Sequence, residues 1–148
     1  TATFDELNIM DGNTTTTAQI NAVCIRPNVT AGNLMIASAP TEKSSNSVSY
    51  LKAKEIKVLV AGTYRILFDL ISTTTDNVYG RIYKNVVAVG TERITTGTTY
   101  VTYSEDLIFA ANDLVQLYYK ATSPANVYVR NFHLYILYDP RYASDIID

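Results

Sequence analysis

Residues 60–72 read VAGTYRILFDLIS and carry the clearest structural signal in the chain. The turn-forming pair Ala61-Gly62 is followed by a run in which apolar residues recur at period two, as they do along one face of a β-strand. These residues are Tyr64, Ile66, Phe68 and Leu70. The opposite face is partly apolar too, because it includes Leu67 and Ile71. We therefore predict a strand that is covered on both sides, the central strand of a β-sandwich.

The remainder of the chain repeats this pattern at intervals. From residue 48 onward, strand-like runs recur roughly every 8–12 residues with turn-forming residues between them, which is typical of β-sandwiches and jelly rolls. The other strand candidates are residues 50–60, 78–84, 86–94, 100–105, 114–121 and 127–138. No segment shows a helical stripe of apolar residues. We predict an all-β jelly-roll sandwich without a helix longer than a turn or two.

Composition narrows the range of functions. The 148 residues carry a formal net charge of -2, so no overall basic field attracts nucleic acid. No apolar run is long enough to cross a membrane as a helix. Cys24 and His133 are each the single residue of their type, which argues against a disulfide framework, a zinc site and a nucleophile–base pair. We expect a protein that is not an enzyme, without catalytic residues, metal or cofactor, and with neither nucleic acid nor membrane as a partner.

Acidic residues give no stronger sign of catalysis. Asp5-Glu6 and Glu105-Asp106 are adjacent pairs whose side chains diverge if the backbone is extended, so we interpret them as solvated loop acids. Asn112-Asp113 is compatible with a calcium site, but a turn explains it more simply.

Tyrosine is unusually abundant, with 12 residues. One small core cannot readily bury so many rings with every hydroxyl hydrogen-bonded, so some of them are predicted to lie on the surface. Aromatic surfaces with arginine nearby are typical of protein interfaces. The alternative is that tyrosine serves here only as a good strand residue and is half buried.

Four motifs together resemble the C1q/TNF-like jelly roll: Gly62-Thr63-Tyr64, Tyr83-Lys84-Asn85, the DLVQL run at 113–117, and the closing strand at 127–137. The succession is more closely similar to small β-sandwich domains of tailed-phage structural proteins, over about residues 48–137. Two positions depart from the pattern. Val86 stands where a turn glycine is expected and tolerates a type I′ turn poorly, whereas Asn112, in place of a second glycine, can adopt a left-handed backbone.

This resemblance implies a homotrimer that assembles through an aromatic-rich sheet around a threefold axis. The candidate strands for that surface are 78–84, 114–120 and 127–138. The candidate interface residues are Tyr79, Tyr83, Tyr118, Tyr128 and Phe132.

We divide the chain into residues 1–46, an N-terminal arm or extra strands; residues 47–138, the jelly roll; and residues 139–148, a C-terminal tail. The first region mixes short apolar pieces with polar turns, so it has little core of its own and would gain by ordering against a partner. Its candidate residues for attachment to a capsid are Phe4, Leu7, Ile9, Leu34, Met35 and Ile36. The competing interpretation is that residues 1–46 complete the sandwich as ordinary strands.

Three functional hypotheses follow. The first is a trimeric decoration or cement protein of a tailed-phage capsid, which is assembled in the host cytoplasm, resides in the virion and binds itself and the major capsid protein or another virion protein. The second is a receptor- or glycan-binding module of a phage tail or head fibre, whose partner is a host surface glycan. The third is a cellular C1q/TNF-like ligand, which the absence of Gly-X-Y repeats disfavours. The size of the chain favours the first hypothesis over the second, because fibre proteins usually carry long shafts.

Overall fold

The computed structural model describes residues 30–137. Ten β-strands form two antiparallel sheets, and no helix occurs within this range. The strands are β1 (Leu34–Ala39), β2 (Lys43–Ser45), β3 (Leu51–Lys57), β4 (Gly62–Ser72), β5 (Val78–Lys84), β6 (Val87–Ala88), β7 (Arg93–Thr95), β8 (Val101–Phe109), β9 (Leu114–Ala121) and β10 (Val127–Ile136). The architecture is an all-β jelly-roll sandwich, which confirms the predicted fold class. The described part of the chain accordingly has no helix long and apolar enough to cross a membrane.

Strand β4 lies in the interior of the first sheet, as predicted from its sequence. The order in this sheet is β1-β10-β4-β8, and β2 pairs with the other half of β10. The order in the second sheet is β3-β9-β5, and both β6 and β7 pair with β5. The edge strands of the two sheets therefore define two lateral sides of the sandwich.

The core lies between the two sheets and is built from the period-two positions. The four apolar residues of β4 that alternate in sequence are all buried. They face buried residues of the second sheet, among them Ile82 and Leu117. Gly80 of β5 lies directly beneath Phe68, and a Cβ atom at this position would lie 2.7 Å from Cε2 of that ring. A glycine inside a strand is explained here by the close approach of a large core side chain.

Residues 34–45 belong to the sandwich. β1 and β2 both pair antiparallel with β10. The hydroxyl of Tyr119 donates to the carbonyl of Ser44 at 2.9 Å, and Lys54 donates to the hydroxyl of Thr41, so this segment is also tied to the second sheet. Within the described range, residues 34–45 thus supply two strands of the sandwich. Phe4, Leu7, Ile9, Cys24 and the tail 139–148 lie outside the described residues.

Positive φ angles occur at Asn112 and at Val86, the two positions where the sequence departs from the pattern that it resembles. Asn112 has φ 73°, the left-handed conformation expected of it. Asn85 and Val86 have φ 49° and 66° and form the two-residue loop between β5 and β6, as a type I′ turn requires. Valine is held there because its N–H donates to Oε1 of the buried Gln116 at 2.7 Å.

Replacing Val86 by glycine is expected to stabilise the protein by about 1 kcal/mol, because a left-handed backbone is strained for a β-branched residue. The side chain is 68% exposed, so little packing is lost, and glycine keeps the N–H that Gln116 accepts. Urea unfolding followed by circular dichroism measures the change. The matched control is Val87→Gly in strand β6, which should destabilise the protein. If Val86→Gly also destabilises the protein, the backbone at Val86 is not strained.

Candidate functional site

The outer face of the second sheet carries a group of tyrosines that we call the tyrosine face: Tyr50, Tyr79, Tyr83 and Tyr118. Its origin is the alternation along β5 and β9. Val78, Gly80 and Ile82 face the core, so Tyr79, Arg81 and Tyr83 point outward. The register places Arg81 opposite Tyr118 and Tyr79 opposite Lys120, which brings both strands onto one continuous outer surface.

The rings of the tyrosine face pack on one another. Tyr83 and Tyr118 are stacked, with centroids 4.0 Å apart and an interplanar angle of 23°. Tyr50 reaches Tyr83 from the edge of the sheet at 5.9 Å. Aromatic contacts of this kind contribute roughly 0.5–1.5 kcal/mol beyond the burial of area. They hold the rings in a fixed arrangement, so the face is a preformed surface.

Charged groups on this face are paired with its rings and with each other. The ammonium of Lys120 lies 4.6 Å from the centroid of Tyr50 and 4.4 Å from that of Tyr79, which are cation–π distances. The hydroxyl of Tyr50 donates to Glu92 at 2.6 Å, and Lys120 lies 3.8 Å from the same carboxylate. Burial and then the Glu92 hydrogen bond raise the pKa of Tyr50 well above its ordinary value, so its hydroxyl remains a donor at neutral pH.

The acidic residues considered for calcium binding or catalysis are engaged in hydrogen bonds or ion pairs within the protein. Asp113 accepts from the Ala110 N–H and from the Asn85 side chain, both at 2.7 Å, and these bonds lower its pKa. Both bonds match the turn that was preferred to a calcium site. Glu105 and Asp106 lie in strand β8 and Glu105 is half-buried, so the interpretation of this pair as solvated loop acids is wrong. Glu105 accepts from the N–H of Thr91, whereas Asp106 pairs with Arg65 on the outer face of the first sheet, so the two carboxylates diverge as expected of an extended backbone. Among residues 30–137, no group of three or more His, Cys, Asp or Glu residues is arranged to hold a metal ion.

The five candidate interface residues do not share one surface. Tyr79, Tyr83 and Tyr118 come together on the tyrosine face. Tyr128 lies on β10, in the other sheet. The proposal that strands 78–84, 114–120 and 127–138 form a single face is therefore wrong, because period-two alternation does not reveal to which sheet a strand belongs.

The assignment of Phe132 to an interface is also wrong, since its side chain is 0% exposed and lies in the core. In a regular strand it would share a face with Tyr128, four residues earlier. A bulge in β10 between Arg130 and His133, with Asn131 at φ 52°, reverses the alternation. A one-residue irregularity transfers every following side chain to the opposite face.

The sequence analysis missed Tyr50 of the tyrosine face and the two charged residues that contact it, Glu92 and Lys120. They come from three separate parts of the chain, and only the strand register brings them together. The one local signal is at Lys120, which alternates with Tyr118 on the outward side of β9.

The candidate attachment residues that the structure describes lie on an exposed edge. Leu34, Met35 and Ile36 of β1 are 43%, 50% and 47% exposed. Beside them, an apolar cleft of about 260 Å³ opens between β1 and the end of β3, and its lining includes Ile56, Val58, Leu134 and Ile136. The other lateral side is bridged, since the hydroxyl of Tyr103 in β8 donates to the Ile94 carbonyl in β7 at 2.6 Å. The β1 side thus combines exposed apolar residues with an open apolar cleft.

Neither a family model nor a curated protein sequence matches this chain. Among solved structures, a family 35 carbohydrate binding module from Clostridium thermocellum is similar at a TM-score of 0.45 and 14% identity, and the match covers 67% of this chain and 98% of that one. Rabbit GITRL is similar at a TM-score of 0.38 and 17% identity, with 66% and 84% covered. Both proteins are distant, and the order and pairing of the strands define the jelly-roll sandwich described above.

Proposed function

We propose that the protein is a non-enzymatic structural component of a virion, a homotrimeric decoration or cement protein of a tailed-phage capsid. The observation that carries the proposal is the tyrosine face, a preformed aromatic surface on one sheet. The resemblance of residues 48–137 to phage structural domains supports the same assignment. The subunit would bind two other copies of itself and the major capsid protein or another virion protein.

The tyrosine face suits contact between subunits. Its rings are amphipathic and lose little rotamer freedom when buried, which is why aromatic residues dominate the energetic centres of interfaces. Lys120 and Glu92 are already paired with each other, and Arg81 on the same surface donates from Nε to the Gly90 carbonyl at 2.7 Å, so each of these charged groups keeps a polar partner when the face is buried. Closed cyclic symmetry is the common way for identical subunits to bury such a surface.

Attachment to the capsid is assigned to β1. Three adjacent apolar side chains on an edge strand, beside an apolar cleft, form an exposed patch of the kind that marks interaction sites. The partner would be an apolar segment of a capsid protein that covers Leu34, Met35 and Ile36 and fills the cleft.

Replacing Tyr83 by aspartate is expected to convert a trimer into monomers. The substitution breaks the stack with Tyr118 and places an unpaired carboxylate in the interface, which costs several kcal/mol per subunit. Light scattering at micromolar concentration should give the mass of a trimer for the unmodified protein and of a monomer for the variant. The control is Ile108→Asp on β8, where the side chain is 72% exposed on the first sheet, and this variant should remain trimeric. An unmodified protein that is monomeric would contradict the proposal.

The location of the protein in purified particles tests its role. Immunogold labelling over the head shell is the result expected of a decoration protein. Labelling confined to the tail or fibres would instead favour the second candidate, a receptor- or glycan-binding module. That candidate is favoured by a separate observation, a tyrosine-lined depression on the outer face of the first sheet.

A further inference from the structure

The outer face of the first sheet contains a depression of about 310 Å³, which we call the Tyr100 depression. Its lining includes Glu42, Ile71, Thr73, Thr98, Tyr100 and Tyr128. Its volume is at the lower end of the range for small-molecule pockets, roughly 300–1,000 Å³. It lies on the sheet opposite to the tyrosine face, so the two surfaces are separate.

Tyr100 spans the sheet beside this depression. Glu42 precedes β2 and Tyr100 precedes β8, and these strands lie on opposite sides of the β10–β4 pair. The hydroxyl of Tyr100 nevertheless donates to the Glu42 carboxylate, so the ring lies across both intervening strands. Burial and this hydrogen bond raise the pKa of Tyr100 to about 12, and the hydroxyl therefore stays protonated at neutral pH.

A polar cluster around the buried Asp69 fixes the ring of Tyr100 from one side. The guanidinium of Arg130 lies 3.6 Å from the ring centroid. Its Nε donates to the buried carboxylate of Asp69 at 3.2 Å. Asp69 also accepts from Thr102 at 2.7 Å and from Asn131, the residue of the β10 bulge, at 2.8 Å. The bulge thus supplies a hydrogen-bond donor, the Asn131 side chain, that helps to hold Asp69, Arg130 and the Tyr100 ring in one arrangement.

The rim of the depression is held by hydrogen bonds between loops. Ser72 N–H donates to the Gly97 carbonyl at 3.1 Å. Thr73 N–H donates to the Asn126 carbonyl at 3.1 Å, and Asn126 N–H returns a bond to the Thr73 hydroxyl at 2.9 Å. These bonds join three loops at the end of the sheet. A rim fixed in advance reduces the entropy lost when a ligand binds.

We propose that the Tyr100 depression binds a neutral sugar residue. A sugar ring presents C–H groups on its faces and hydroxyls around its edge. The half-buried rings of Tyr100 and Tyr128 offer aromatic surface, whose negative faces attract C–H groups. The Glu42 carboxylate accepts several hydrogen bonds, so it can accept from a sugar hydroxyl while it holds Tyr100, and Thr73 and Thr98 add hydroxyls at the rim.

The charges of the site select against anionic ligands. Arg130 is paired with Asp69, packs on the Tyr100 ring and does not line the depression, whereas Glu42 is exposed and borders it. A phosphate, sulfate or sialic acid carboxylate would meet this carboxylate without a matching cation. Sugar binding would be an activity additional to the proposed decoration function. It does not depend on that function, because the depression lies on the first sheet and the tyrosine face on the second. A trimer would present three such sites and bind a glycan-bearing surface with avidity.

The test is titration of the full chain with free monosaccharides (glucose, galactose, mannose and N-acetylglucosamine) to about 10 mM, because millimolar affinity is ordinary for a single sugar. Tyrosine ring signals in NMR spectra report binding. Immobilised neutral oligosaccharides are tested in parallel, to separate recognition of a free sugar from recognition of a glycan terminus. We expect at least one neutral sugar to bind and shift the Tyr100 and Tyr128 signals, and a sialylated analogue to bind more weakly.

Tyr128→Ala should weaken this binding about tenfold or more, as loss of a central aromatic contact usually does. The matched control is Tyr135→Ala, a half-buried tyrosine on the same face of β10 but at its other end, which should bind as the unmodified protein does. Glu42→Gln, at an exposed position, gives a second variant if Tyr128→Ala does not fold, and it too should lose affinity. The proposal is overturned if no neutral sugar or oligosaccharide binds. It is also overturned if the Tyr128→Ala and Glu42→Gln variants bind as tightly as the unmodified protein.

Failure of this site is distinguishable from failure of the proposed function. Tyr83→Asp alters the mass of the assembly and leaves the Tyr100 depression unchanged. A monomeric variant that still binds a free sugar would therefore support the depression independently of the trimer.

Discussion

Replacing Phe68 by alanine is expected to lower the free energy of unfolding by about 3–5 kcal/mol. Phe68 is buried at the centre of β4, where its ring lies over Gly80 and 5.9 Å from the ring of Tyr103. Glycine has no side chain that can move into the vacated volume, so the cavity should remain largely unfilled. Urea unfolding followed by circular dichroism measures the loss, which is a large part of the roughly 5–15 kcal/mol typical of a domain.

The control for this prediction is Ile108→Ala in the neighbouring strand β8. That side chain is 72% exposed, so its removal should change stability by less than about 0.5 kcal/mol. Because the protein is expected to be oligomeric, both variants must be compared at one protein concentration. A loss below about 1 kcal/mol for Phe68→Ala would mean that β4 is not the centre of the core.

The strands and much of the core could be predicted because period-two alternation is a local property. Along β4 the alternation of Tyr64, Ile66, Phe68 and Leu70 directly reports which side faces the opposite sheet. The polar, turn-forming residues between the alternating runs predicted the approximate ends of β5, β9 and β10. Asn112, at a position where glycine was expected, was interpreted as able to adopt a left-handed backbone, and its φ lies in that region.

Sheet membership could not be predicted in this way. Tyr128 and Tyr118 occupy similar alternating strands, yet β10 pairs with β4 whereas β9 pairs with β5. The bulge at Asn131 was also missed, because its cause is a tertiary contact: the Asn131 side chain binds Asp69, a residue far away in sequence. The contact between Glu42 and Tyr100 likewise depends on the order of four strands, so no local sequence pattern predicts the depression beside them.

Strand β1 was recognised as an apolar segment, but its sequence left an arm and a strand of the sandwich as alternatives. Leu34-Met35-Ile36 does not alternate, and all three residues are exposed because β1 is an edge strand with a register shift between Met35 and Ala37. A short run of exposed apolar residues looks the same in an edge strand and in a flexible arm. Only its pairing with β10 decides between the two interpretations for this segment.

Deletion of residues 1–46 is therefore expected to abolish cooperative folding. The deletion removes β1 and β2, which together cover the outer edge of β10. It would leave the backbone of β10 unpaired on that side and would open the core around Phe132 and Leu134. Circular dichroism and thermal unfolding should show loss of the β-sheet signal and of a sharp transition. A folded trimer after this deletion would contradict the structural role of both strands.

Side-chain substitution separates attachment from folding. The double variant Leu34→Ser and Met35→Ser keeps the backbone pairing of β1 with β10, so it is expected to stay folded and trimeric. Its binding to capsids that lack the protein, measured by co-sedimentation, should weaken about tenfold or more, because two apolar contacts are lost. Ile108→Ser removes a more exposed apolar side chain, 72% exposed, from β8, the opposite edge of the same sheet, and should bind normally. If the double variant binds as well as this control, the apolar side chains of β1 do not attach the protein to the capsid, even though β1 remains part of the sandwich.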